Sequence, residues 1–329
     1  MQIIAVADGH GADDCFRSEI GASIAIDTVF REALPLLYEE SHPFSEQGIK
    51  NFKYQLWQSW REAVKKDWKN RLALGDLGDK EVRYEQVSEK YRKRYQEESE
   101  KYLYTAYGTT LIAAIAIKNE MLLLQIGDGS AVVLCANGLF TLPIPGDEDN
   151  YLNVTTSLSE ENADQKIRHA VLSLDKTSCT CPAAVFLSSD GVDDCFPVYQ
   201  NEEYLFKFYN VLVETALEKT TEALYEELTH DALSEMSAKG SHDDISLAIM
   251  LTEDKDLLGN AYAEINLPQT RMETGEEEER SQYHAQSGNP GSLSPKKSGS
   301  HGQPRFSPKS AEGHLSPGQA EGEPAADGL

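Results

Sequence analysis

An α+β fold is what this sequence predicts, and three observations predict it. Helical periodicity comes first, then a block of strand-like runs, then helices again, then a final strand. Within the block, Asn137-Gly138 supplies a hairpin turn, so neighbouring runs pair antiparallel. Finally, composition breaks near Pro268: residues 269–329 hold six of the 13 prolines and nine of the 23 glycines. The 268 residues before that break form one large domain, within reach of the ~250 residues that single sandwiches attain.

Taken in order, Gln2–Ala7 reads as a strand. Ile20 to Tyr38 reads as an amphipathic helix, with Ile20, Ile24, Phe30, Leu34 and Leu37 at helical spacing. A helical hairpin occupies about 45–105. Its first arm places Ile49, Phe52, Leu56, Trp60, Val64 and Trp68 on one stripe, flanked by Trp57, as core rather than as a ligand cage. Its second arm, Asp79 to Tyr104, interleaves Lys, Arg and Glu as a solvated face. The strand block is Thr110–Ile117, Met121–Ile126, Ala131–Cys135 and Leu139–Leu142, followed later by Ala183–Leu187 and Ile245–Leu251. Helices cover Glu202 to Glu218 and Glu222 to Met236 between those last two. Residues 269–329 have too few aliphatic side chains to offset ordering entropy and are expected to be a disordered tail.

Charge excludes some functions. Thirty Lys+Arg against 55 Asp+Glu give −25, and the tail, with 6 against 9, carries only −3 of it. An acidic body argues against nucleic acid and against anionic membrane surfaces, both of which need clustered cations. No apolar run nears the ~20 residues of a membrane span, and the N-terminus has no signal-like flank. Five cysteines (15, 135, 179, 181 and 195) without paired C-x-x-C spacing suit a reducing cytosol. The expectation is a soluble cytoplasmic monomer.

Four acidic motifs sit at strand tips: Asp8-Gly9-His10-Gly11, Gly127-Asp128-Gly129-Ser130, Ser189-Asp190-Gly191-Val192-Asp193-Asp194 and Ser241-His242-Asp243-Asp244. Singly, each Asp-Gly is an ordinary turn dipeptide and His10 an ordinary turn histidine. Three motifs end strands and one begins a strand, so an antiparallel last strand brings all four to one edge. Carboxylates ~4 Å apart repel by about 4 kcal/mol at an effective dielectric of ~20. Such a cluster calls for cations, and oxygen donors without thiolates select Mg²⁺ or Mn²⁺ over Zn²⁺. Glycine after aspartate lets a backbone carbonyl join the coordination sphere.

These residues, together with Gly108-Thr109-Thr110, resemble the metal-dependent serine/threonine protein phosphatases of type 2C (the PPM family), bacterial type. The five motifs occur in family order over roughly residues 1–252. The resemblance implies a four-layer α/β/β/α sandwich of antiparallel sheets flanked by helices. It implies that Asp8 bridges two metal ions, Mg²⁺ or Mn²⁺, that the Gly9 carbonyl completes the second, and that Asp190 and Asp243 bind the first. Asp128, Asp190 and Asp194 would hold a third ion. His10 would be the general acid, and a metal-activated water would attack phosphoserine or phosphothreonine in a protein substrate without a phospho-enzyme. The partner is then a phosphoprotein whose modification a Ser/Thr kinase installs.

Three departures stand out. Two strands normally precede the first motif and supply an acidic metal-shell residue and a phosphate-holding arginine; this chain begins seven residues before Asp8. The alternative function is therefore a catalytically impaired regulatory or binding protein on the same fold. Gly129 stands where serine is usual, with little consequence expected, and Asp244 stands where asparagine is common.

Overall fold

The computed structural model describes residues 1–38, 44–74, 89, 91, 95, 99–146 and 155–267. The chain divides into two units, Met1–Gln269 and Thr270–Leu329. The expected tail and most of the charged arm expected over 79–104 lie outside the described residues.

Two antiparallel sheets form the centre of the first unit. One has the order β1-β2-β3-β6, from β1 (Gln2–Val6), β2 (Leu111–Ile117), β3 (Glu120–Ile126) and β6 (Arg168–Ser173). The other has the order β5-β4-β7-β8, from β4 (Ser130–Cys135), β5 (Phe140–Thr141), β7 (Pro182–Ser188) and β8 (Leu247–Leu251). Strands β2, β4 and β7 are buried at every position, as continuous apolar runs require when both faces are covered.

Alternation along these strands produces three apolar layers. Ile112, Ala114, Ala116 and Leu123 point inward, against Ala131, Val133, Val185 and Leu187 of the other sheet. Leu111, Ala113, Ile115, Leu122 and Leu124 point outward, under α1 (Ser18–Ala33), α2 (Glu46–Leu74) and α3 (Ser99–Ala106). Val132, Leu134, Ala184 and Phe186 point outward on the far side, under α4 (Asn201–Glu218), α5 (Thr221–Glu227) and α6 (Lys255–Ala263). Three buried layers separate four layers of structure, the α/β/β/α sandwich.

The stripe read on α2 is buried as expected, with Trp60 and Val64 at 0 % exposure. Two of its indoles are satisfied: Trp60 Nε1 donates to Gly21 O at 3.0 Å and Trp57 Nε1 to Leu158 O at 3.2 Å. The face read on α1 needs correction. Phe30, Leu34 and Leu37 are exposed at 41, 53 and 40 %. Ile20 and Ile24 pack partly buried against the core as read, and Leu34 and Leu37 lie in a 3-10 turn after α1, Leu34–Tyr38. The fully buried stripe of α1 is Gly21, Ala22, Ala25, Thr28 and Val29. Small side chains let α1 lie close to α2 and to the Tyr107 backbone, so proximity, not side-chain size, selected the buried face. The beginning of α1 is fixed by a buried polar trio. Arg17 donates through Nη2 to Asp67 Oδ2 at 2.5 Å and through Nε to Tyr107 Oη at 2.7 Å, and Tyr107 Oη donates to the same Asp67 oxygen at 2.6 Å.

Two elements escaped the sequence reading. β6 is an edge strand whose residues alternate between half-buried and exposed, beginning Arg168-His169, and of its short apolar run Ala170-Val171-Leu172 only Ala170 and Leu172 face the core. The helix α6 is short, capped by the Asp254 side chain, which accepts from Leu257 N at 3.1 Å.

Candidate active site

Register places all four motifs at one end of the sandwich. Val6 pairs with Ile112 and Leu111 with Ile126, so the end of β1, the start of β2 and the end of β3 coincide. In the second sheet Ser130 pairs with Ser188 and Ser188 with Leu247, which aligns the start of β4, the end of β7 and the start of β8. The residues 127–129 cross from one sheet to the other at that same end.

The loop after β1 is held by Gly108-Thr109-Thr110. Asp8 O accepts from Thr110 N and from Thr109 Oγ1, both at 2.8 Å, and Asp8 N donates to Thr110 Oγ1 at 3.0 Å. Gly9 bridges Thr109, and His10 N donates to Gly108 O at 3.1 Å. The threonines thus act by bracing the backbone that carries Asp8, Gly9 and His10.

Asp128 rides on a turn gripped from several sides. Gln125 Nε2 donates to the carbonyls of Gly127 and Gly129, and Arg168 Nη2 donates to Gly127 O at 2.6 Å. Gly127 N donates to Thr156 Oγ1 at 3.0 Å, and Thr155 Oγ1 donates to Asp128 Oδ2. A Cβ at Gly129 would stand 2.3 Å from Ser188 O, so the strands approach too closely there for any side chain. The serine usual in the resembled family would not fit this backbone without a shift, so the close approach of the strands goes with glycine at this position.

Asp190 opens a short helical turn, Asp190–Asp193, directly after β7. Ser189 ties it to the fourth motif: Ser189 N donates to Ser246 O at 3.0 Å and Ser246 N to Ser189 Oγ at 2.9 Å. Asp244 O would lie 2.4 Å from a Cβ at Gly191, so the Asp243-Asp244 backbone passes directly over the turn. Asp243 O accepts from Ser237 Oγ at 2.7 Å.

The fields of these carboxylates overlap. Burial first, then Asp190, Asp243 and Asp244, pushes the Asp8 carboxyl up to about 7. Asp190 is itself raised, by burial and then by Asp128, Asp243 and Asp194. Asp194 is raised by burial, then by Asp243 and Asp128. Burial lowers His10, opposed by Asp128, Glu160 and Asp14. The structure therefore brings together Asp8, Gly9, His10, Asp128, Asp190, Asp194 and Asp243. It adds Asp244, which the fourth motif contained without a ligand role, and Glu160 and Asp14, which lie outside the motifs.

Do these residues fit divalent cations? Among the described residues no three His, Cys, Asp or Glu side chains are gathered closely enough to hold an ion as they stand. The fit is one of charge and donor type. Carboxylates that must keep protons to tolerate each other gain from a hard cation, and the donors are oxygens throughout. On that chemistry the site suits Mg²⁺ or Mn²⁺.

The family described as protein phosphatase 2C matches residues 1–232. No curated protein matches the chain. Among solved structures, the chain is similar to the catalytic domain of the serine/threonine protein phosphatase PstP in complex with two manganese ions. They share 15% identity over 75% of this chain and 86% of that one, with a TM-score of 0.40. It is also similar to PppA, a regulatory component of the T6SS in Pseudomonas aeruginosa, at 16% identity over 76% and 86%, TM-score 0.43. A bacterial serine phosphatase gives 14% identity over 77% and 86%, TM-score 0.39.

Proposed function

The chain belongs to the protein phosphatase 2C family of serine/threonine phosphatases, and from that membership we propose that it hydrolyses phosphoserine and phosphothreonine in proteins with the help of Mg²⁺ or Mn²⁺. The observation that carries this reading is the convergence of Asp8, Asp128, Asp190, Asp194, Asp243 and Asp244 in one overlapping field.

Asp8, the Gly9 carbonyl, Asp190 and Asp243 would hold two ions, and Asp128, Asp190 and Asp194 a third. Cations bound there supply Lewis acidity toward a phosphoryl group and a nucleophile competent at neutral pH. The chain's own residues do the rest. The threonine brace fixes Asp8 and His10 on one backbone segment, so the proton donor and the acidic cluster keep a constant relation. His10 gives its proton to the departing seryl or threonyl oxygen; burial lowers its pKa, and the neighbouring Asp128, Glu160 and Asp14 only partly oppose that. Holding cations would favour the ionised forms of Asp8 and Asp190, so binding is expected to release protons. The reading includes one catalytic unit over 1–268, a tail over 269–329 outside it, a kinase-modified protein as substrate, and a cytoplasmic setting. The last is supported by five free cysteines. Among the described residues no helix is long and apolar enough to cross a membrane.

The test is phosphopeptide hydrolysis by wild type and Asp190→Asn, each with and without Mn²⁺. Activity is expected only for wild type with metal. Equal rates in all four conditions would overturn the metal mechanism, and no hydrolysis by metal-loaded wild type would leave a phosphatase-fold binding protein.

A further inference from the structure

Two of the acidic motifs are joined by a bond between residues to which no role has been given. Ser130, the first residue of β4 and two beyond Asp128, donates its hydroxyl to Asp193 Oδ1 at 2.7 Å. Asp193 closes the turn that Asp190 opens and immediately precedes Asp194. Its backbone is also anchored, since Asn201 Nδ2 donates to Asp193 O at 2.8 Å. Asp193 Oδ2, by contrast, is buried without a hydrogen-bond partner.

A buried carboxylate with one unpartnered oxygen is costly to the fold. For stability alone, a small apolar residue would serve better at this position. What the carboxylate does achieve is a direct side-chain tie between the Gly127–Gly129 turn and the Asp190–Asp194 turn, beside the pairing of β4 with β7.

We propose that Asp193, through Ser130, is a positioning residue that ties the turn carrying Asp128 to the turn carrying Asp190 and Asp194, and so limits how far these carboxylates must move to enclose a divalent cation. The proposal rests on the metal reading of the site and deepens it. Partners one step removed from metal ligands commonly tune metal affinity about 10–100-fold when removed.

The experiment uses the full chain and Mn²⁺ as the probe. It follows the Mn²⁺ concentration that gives half of the metal-induced rise in melting temperature, together with kcat at saturating Mn²⁺. Asp193→Ala and Ser130→Ala should each raise that concentration about tenfold. The double variant should be no worse than either single one, as for two halves of one contact. Asp193→Asn retains an oxygen that accepts from Ser130 and should stay within about twofold of wild type.

A merely structural role would lower the metal-free melting temperature and leave the Mn²⁺ requirement unchanged; that result overturns the proposal. So does a shift in Asp193→Asn as large as in Asp193→Ala, which would assign the effect to charge. If Asp193→Ala does not fold, Ser130→Ala, the loss of one hydroxyl, carries the test. A wild type that Mn²⁺ fails to stabilise overturns this proposal and the metal reading together. A wild type stabilised by Mn²⁺ but inactive on phosphopeptide overturns only the phosphatase reading, and the comparison of Mn²⁺ requirements still decides this one.

Discussion

Replacing Gly129 by serine isolates the contact on which the site's geometry depends. The new Cβ would sit 2.3 Å from Ser188 O, 1.1 Å short of the 3.4 Å at which ordinary contact begins, and 2.9 Å from Ile112 Cδ1. Ser188 is paired backbone in β7, with β4 on one side and β8 on the other, so it cannot swing aside as a side-chain tip would. Overpacking a rigid interior costs about 1–3 kcal/mol, and a backbone-against-side-chain clash between two fully buried strands belongs near 3. At about 2–4 °C per kcal/mol for a domain of this size, the melting temperature should drop by about 6–12 °C. The natural control is Gly11→Ser, where a Cβ meets nothing within 4 Å and stability should hold within about 0.5 kcal/mol. Thermal unfolding of the two variants beside wild type measures both. Since Ser188 is two residues from Asp190, phosphopeptide hydrolysis by the Gly129 variant should fall as well. If Gly129→Ser melts within about 2 °C of wild type, β4 and β7 are not in the close approach described and glycine is not required there.

Other expectations follow from the same geometry. His10→Ala should slow hydrolysis of phosphoserine peptides by about 10²–10⁴-fold while sparing aryl phosphates, whose leaving oxygen needs no proton; an equal loss on both substrates would remove His10 from the proton-donor role. Trp60→Ala, at a fully buried position, should cost about 3–5 kcal/mol in denaturant unfolding. Phe30→Ala, on the exposed side of α1 at 41 %, should cost no more than about 0.5 kcal/mol; a large loss there would restore the apolar face that the spacing of α1 suggested.

Some of this was written plainly in the chain. Uninterrupted apolar runs such as Leu111–Ile117 and Ala183–Leu187 are strands because nothing else that short buries both faces. The α2 stripe, from Ile49 to Trp68, is large, regular and therefore unambiguous. The acidic motifs stood out because each follows or precedes such a run, and strand direction alone then carries them to one edge. β6 stayed hidden because an edge strand with one solvated face needs few apolar residues, and Ala170 and Leu172 are all it has inside.

The face of α1 misled for a different reason. Periodicity weighs side chains by hydrophobicity, whereas the site at which a helix meets a neighbour is chosen by how near the backbones can come. Gly21 and Ala25 win that choice over Phe30 and Leu34.

By itself, then, the sequence determined the α+β class, the motifs and the sign of the charge they gather. Only the tertiary structure decided that Gly129 admits no side chain without a shift, that threonines 109 and 110 brace Asp8, and that Ser130 reaches Asp193 across 63 residues of chain. Pattern along a chain records what each segment buries. Contacts between distant segments depend on distances of tenths of an ångström, which are set only once both sheets have packed.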